Sequence, residues 1–205
     1  SHFQDSDKKD TKETVDEYNT SIDETKARID ELKSKQQLSN FEKDELEYLE
    51  QKLELENQIN DVTSQLNSFE EVVNTTFKDG VISEAEKSLL NEKIANIDKE
   101  KLDIDIRYNS VVNDENLSEN VKQTLLEKYN NYCNKHNELK TKINDVISDS
   151  FVNEAEKNEI DLIFKQYSNA LAYFSEIMGK AMESISTNSA AVELAKAKAE
   201  IQLEI

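Results

Sequence analysis

Asp79-Gly80-Val81-Ile82-Ser83-Glu84-Ala85-Glu86-Lys87 and Asp149-Ser150-Phe151-Val152-Asn153-Glu154-Ala155-Glu156-Lys157 are two versions of one segment, 149 − 79 = 70 residues apart. Each joins a turn to the start of a helix. Ser83 is followed three residues later by Glu86, and Asn153 by Glu156. That spacing lets the first side chain accept from the backbone N–H of the third helical residue while the glutamate reaches back to the cap. Two helix starts and a duplicated unit are therefore fixed before any other residue is read.

Composition agrees with helices on either side of these turns. The 205 residues include 0 Pro and 2 Gly, where average usage of about 5% and 7% would give roughly ten and fourteen. Long helices exclude both residues, whereas tight turns between strands require them. Charged residues make up 34% and apolar residues 36%, which fits helices with a narrow buried stripe and a wide wet face. A chain this polar would be disordered if its apolar residues were scattered. They are not scattered.

Val15, Tyr18, Ile22, Thr25, Ile29 and Leu32 step by 3, 4, 3, 4, 3, a heptad seam with one polar member. Gln36 to Asn40 interrupt it, and Ser39 with Glu42 caps a second helix expected over roughly Asn40 to Phe77. On that helix Leu46, Leu49 and Leu53 set one phase, and Leu55, Ile59, Val62, Leu66, Phe69 and Val73 a shifted one. The seam should wrap or change partner near Leu53 to Leu55. Helix three carries Leu90, Ile94, Ile97, Ile104, Tyr108 and Val111, with Lys101 as a polar gap. Ser118 is the expected cap of helix four, whose seam is Leu125, Tyr129, Tyr132, His136, Leu139, Ile143 and Val146. Helix five repeats the rhythm through Ile160, Phe164, Tyr167, Leu171, Phe174, Met178, Ala181 and Ile185.

The expected fold is all-α: an elongated antiparallel helical hairpin over 1–77, then an up-down-up three-helix bundle with coiled-coil-like packing over 78–186. An Ala-rich helical tail over 187–205 follows, suited to close helix association. Its last residues, Ile201-Gln202-Leu203-Glu204-Ile205, alternate with period two, a strand signal that suggests passage towards a fibre or β-structure. Residues 1 to about 10 read as a frayed polar lead.

Several function classes lose support. Net charge is −19, from 44 acidic and 25 basic residues, and phosphate backbones or anionic membrane surfaces need clustered cations. No apolar run is long enough to span a bilayer, and the residues from Ser1 onward do not form a signal peptide. The single cysteine, Cys133, allows no internal disulfide. Asp79, Gly80, Ile82 and Glu86 match the second half of an EF-hand loop, but counting back puts Thr75 and Phe77 where carboxylate ligands belong. The helix-cap reading is preferred for both turns. Cys133 and His136 lie three apart and could be half of a zinc site, but His2 is the only other histidine. Burial of His136 beside Tyr132 is preferred, with Cys133 flanking the seam. Neither nucleophile triads nor glycine-rich phosphate loops occur. No catalytic, cofactor-binding or metal residue is assigned, no cofactor is expected, and catalysis is not expected.

The two turn segments, with Glu115-Asn116-Leu117-Ser118 between them, resemble helical modules in tail proteins of bacteriophages that infect Gram-positive bacteria. The similarity covers roughly Phe77 to Ile185, and Ser150 and Phe151 depart from the pattern at the second turn. Glu24-Thr25-Lys26-Ala27-Arg28-Ile29-Asp30-Glu31-Leu32 and Leu38-Ser39-Asn40-Phe41-Glu42 are similar to hairpins of phage tail minor and tape-measure proteins. The resemblance implies a non-catalytic structural spacer or scaffold in a tail tip, baseplate or fibre-bearing protein, encoded by a phage or prophage and located in the virion tail. It also implies other tail proteins as partners and a homotrimer through the C-terminal tail. A bacterial adhesin stalk is the first alternative. A helical pore-forming toxin subunit is the second, and it would need an apolar hairpin able to enter lipid.

Overall fold

The computed structural model describes the backbone of residues 11–204 and the side chains of residues 20–203. The polar lead, the seam side chains of Val15 and Tyr18, and Ile205 lie outside the described residues. Among the described residues five helices make up the fold: α1 Thr11–Lys33, α2 Asn40–Thr76, α3 Glu84–Val112, α4 Glu119–Asp149 and α5 Glu154–Glu204. The protein is all-α.

Local chemistry starts the helices where the sequence predicts. Ser39 with Glu42 and Ser83 with Glu86 form reciprocal capping boxes. Asn153 and Glu156 do the same at α5, with bonds of 2.8 and 3.1 Å. Ser118 occupies the cap position of α4 but makes no side-chain capping bond. The third helical residue there is Val121, so no side chain returns a bond to the cap backbone and no capping box closes.

Two clusters of buried side chains hold the helices together. Ile29, Leu32 and Leu49, with Leu38, Leu46 and Leu53 around them, close the α1–α2 hairpin. Leu55, Ile59, Val62, Leu66, Phe69, Val73 and Phe77 belong instead to the main core with α3, α4 and α5. The phase shift between Leu53 and Leu55 marks a change of partner rather than a wrap of the seam. The second half of α2 packs with α3, α4 and α5 in one core. Its stripe must be covered along its whole length, and α1 buries only the first part.

The polar member of the α1 seam has its own partner. Thr25, which is buried, donates to the carboxylate of buried Glu56 at 2.6 Å across the hairpin. On the wet side, Arg28 grips Glu45 through two nitrogens at 2.7 and 2.9 Å. A Lys35–Glu42 ion pair ties the hairpin turn to the cap of α2.

The C-terminal segment differs from its period-two reading. Ile201, Gln202 and Leu203 continue α5 as helix. A strand needs a neighbouring strand for its backbone bonds, whereas Ala, Lys and Glu just upstream propagate a helix with bonds supplied locally.

Candidate functional site

Three regions carry the groups that the sequence singles out: the paired turns, the surroundings of His136, and the far end of α5.

The turns meet. Ile82 N–H donates to Ser150 O at 2.8 Å, and Val152 N–H donates to Gly80 O at 2.9 Å. With 82 + 70 = 152 and 80 + 70 = 150, the two bonds are equivalents of each other under the 70-residue repeat. They enclose a single antiparallel bridge, Val81 to Phe151. Ile82 and Val152 point into the core, while Val81 and Phe151 remain exposed. Gly80 and Ser150 share the left-handed conformation, at φ 76° and 64°. Asp79 Oδ1 accepts from Val81 N–H at 3.1 Å, and Asp149 Oδ1 accepts from Phe151 N–H at 3.0 Å. The acidic groups of the EF-hand-like motif are therefore engaged in turn and cap bonds. Among the described residues no group of three or more His, Cys, Asp or Glu is placed to hold a metal ion.

His136 lies in the core at 3% exposure, next to Tyr132 as the heptad register predicts. The sequence did not show what it bonds. One ring nitrogen, Nε2, lies 2.6 Å from Asp98 Oδ1 on α3, and Nδ1 lies 2.7 Å from the hydroxyl of Tyr167 on α5. A neutral ring donating from Nε2 and accepting at Nδ1 satisfies both contacts. Lys140 donates to the second Asp98 oxygen at 2.8 Å. Burial pulls the imidazole below its ordinary value, against the opposing pull of the Asp98 carboxylate. Burial pushes Asp98 up, but the hydrogen bonds from Lys140 and His136 outweigh it and hold the carboxyl below its usual range.

A second polar group sits one turn further along the α3–α4 edge. Lys101 bonds both Asp105 oxygens at 3.0 and 2.9 Å, and the Tyr129 hydroxyl donates to Asp105 at 2.8 Å. The Lys101 ammonium lies 5.6 and 5.7 Å from the ring centres of Tyr129 and Tyr132, close enough for a cation–π attraction. Asp98, Lys101, Asp105, His136 and Lys140 line a shallow groove of about 250 Å³ between α3 and α4.

Asp98, His136 and Tyr167 have the connectivity of an acid–base–nucleophile relay, but the hydroxyl end is shut in. Tyr167 is 0% exposed, and burial drives its phenol far above the ordinary value. A nucleophile must reach a substrate, and this hydroxyl is enclosed in the core. The arrangement acts as a satisfied polar link joining α3, α4 and α5. Cys133, half-buried with a free thiol, takes no part in a metal set with it.

At the far end, a cleft of about 290 Å³ separates the start of α2, the α3–α4 loop and α5. Asp44, Glu47, Asp114 and Glu193 face it, and its lining includes no Lys or Arg. Burial pushes the Tyr48 phenol in this cleft up to about 12. Asn188 donates to Asn116 O at 2.9 Å, and residues 191–203 of α5 are exposed, with Glu193 at the rim of the cleft.

No family profile, no curated protein and no solved structure matches this chain.

Proposed function

We propose that the chain is a non-catalytic structural spacer of a phage-tail-type particle, in a tail tip, baseplate or fibre-bearing protein. The observation that carries this reading is α5, one helix of 51 residues, or about 75 Å at ~1.5 Å per residue. Its first part is locked into the bundle core by Phe164, Tyr167, Leu171 and Phe174, and its last part stands clear of it. Such a helix transmits position and direction from a packed body to whatever its end engages. The paired turns support the reading, because they pin the opposite end of the bundle with two backbone hydrogen bonds.

The mechanism is mechanical. The two cores set length and angle, the acidic surface keeps the rod soluble and self-repelling, and the free end of α5 joins further copies, as a trimer in the assembled tail, with other tail proteins alongside. The location is the virion tail. Among the described residues no helix is long and apolar enough to cross a membrane.

Gold-labelled antibody raised against the chain, applied to tail particles induced from the encoding strain, tests this. Label at one end of the tail is the expected result. Particles without label, with label on the surface of uninduced cells, would replace the spacer reading with the adhesin stalk.

A further inference from the structure

We infer that the exposed end of α5 is a docking surface for a second copy of this chain, aligned parallel and in register. This deepens the spacer reading and rests on it for the use of the assembly, while the association itself is a property of the isolated chain.

One face of α5 looks out to solvent along the bundle. Lys180, Glu183 and Thr187 are exposed there. Continuing the same steps of 3 and 4 along the helix gives Ala190, Leu194, Ala197 and Ile201. At residue 190 the line therefore turns from charged and polar to apolar without changing face. Leu194 is 48% and Ile201 59% exposed, and neither belongs to a buried cluster. The bundle packs against a different line on α5, through Met178, Ala181 and Ile185. A neighbouring helix can thus reach the stripe without displacing this chain's own helices.

Charge selects the neighbour and its direction. With Leu194 and Ile201 as a positions and Ala190 and Ala197 as d positions, Glu193 falls at g and Lys198 at the following e. In a parallel, in-register coiled coil, g of one helix lies beside that e of the other, and opposite charges there set partner and orientation. Glu193 would face Lys198 of the second copy on both sides of the seam. In an antiparallel pair g faces g and e faces e, so glutamate would meet glutamate and lysine would meet lysine. Within the single chain neither Glu193 nor Lys198 has an ion-pair partner among the described residues. The Ala, Lys and Glu between them keep the segment helical before it is paired.

Light scattering across a concentration series of the 205-residue chain tests the proposal. The expected result is a mass of two or more chains of 23.6 kDa at high concentration, reduced to one chain by Leu194→Asp with unchanged helical circular dichroism and thermal unfolding of the bundle. Glu193→Lys or Lys198→Glu alone should weaken association about fivefold at low salt, a modest loss for two exposed ion pairs. The double charge swap should restore it. Ala197→Cys should give a disulfide between equivalent positions 197 on oxidation, mapped by peptide mass.

A wild-type chain that stays at 23.6 kDa overturns the proposal, as does association that survives Leu194→Asp. Failure of the double swap to restore binding, or a crosslink formed only to Cys133, overturns the parallel register. None of these outcomes bears on whether the antibody finds the chain in a tail particle, so the two readings fail separately.

Discussion

The two halves of the bundle, α2 from Leu55 with α3 and α4 from Leu125 with α5, share one register and differ in what fills it. Adding 70 takes Leu55 to Leu125, Val62 to Tyr132, Leu66 to His136, Phe69 to Leu139 and Val73 to Ile143. Across the turn the same step takes Ile82 to Val152, Leu90 to Ile160, Ile97 to Tyr167 and Ile104 to Phe174. Every one of these positions is buried. The first half is mostly aliphatic, while the second holds most of the aromatic rings and the buried histidine. Heptad period and turn geometry thus set where side chains meet, and identity is free to vary so long as the summed volume fills the core.

The difference has a structural consequence at the two edges where the halves join. Leu171 lies on the helix that closes against α2, whereas its equivalent Lys101 lies on the one that faces α4. At the second edge Asp98 and Asp105 reach Tyr129, His136 and Lys140, with Lys101 bonded to Asp105.

The largest test removes a ring from the aromatic half. Phe174 is fully buried, stacks on Tyr132 at 5.5 Å between centroids, and lies 5.7 and 6.1 Å from Tyr129 and Tyr108. Phe174→Ala should cost about 3–5 kcal/mol in urea unfolding, whereas Ile104→Val at the equivalent position should cost about 0.5–1.5 kcal/mol. A smaller loss at 174 than at 104 would mean that the rings do not carry the second half.

Next in size is the histidine that stands where the first half has Leu66. His136→Leu leaves the Tyr167 hydroxyl buried without its partner and should cost about 1–3 kcal/mol. Pairing it with Tyr167→Phe removes the orphaned group and should recover most of that loss. Tyr132→Phe is the control, because the Tyr132 hydroxyl has no hydrogen-bond partner among the described residues; it should be neutral or stabilising. The sign with pH follows from the depressed imidazole. The unfolded chain takes up the proton first, so stability falls as pH drops below the ordinary value of 6.5 and levels off below the folded value. Asp98, held below 3.8, adds a separate loss further down, as pH falls through its folded value. His136→Leu should abolish the upper decline in a pH series of urea midpoints.

These contrasts also separate what was legible in the sequence from what was not. Capping at Ser39, Ser83 and Asn153 is encoded within four residues of chain, and the helix starts follow from it. Seam positions repeat every seven residues, so burial of Ile97 or Tyr167 could be read directly. The change of phase at Leu53 to Leu55 told that the seam either wraps or changes partner, but not which, nor that α3 and α5 would be the new partners. Asp98 with His136 and Thr25 with Glu56 join residues on different helices, and their meeting depends on how the helices are rotated against each other. The polar gap at Lys101 and the histidine among apolar seam residues were the only signals that the α3–α4 edge is special. Ile201 to Leu203 misled because alternation over five residues also fits one and a half turns of helix.

The smallest effects are expected at the paired turns, where the comparison is between two residues in one backbone conformation. Gly80 at φ 76° has no Cβ; one placed there would lie 3.2 Å from Val152 O, the carbonyl next to the bonded turn. Gly80→Ala therefore combines the left-handed cost of about 1–2 kcal/mol for a residue with a side chain with a tight backbone contact. A more restricted unfolded chain offsets about 0.4–1 kcal/mol of it, leaving a net loss near 1 kcal/mol. Ser150 already bears the left-handed cost at φ 64°, so Ser150→Gly relieves strain and loses chain entropy, for a gain of roughly 0.5 kcal/mol. Opposite signs at equivalent positions are expected in thermal unfolding. If both substitutions destabilise, the serine side chain contributes something at its turn that the backbone bonds of the bridge do not explain, and the two turns are not mechanical equals.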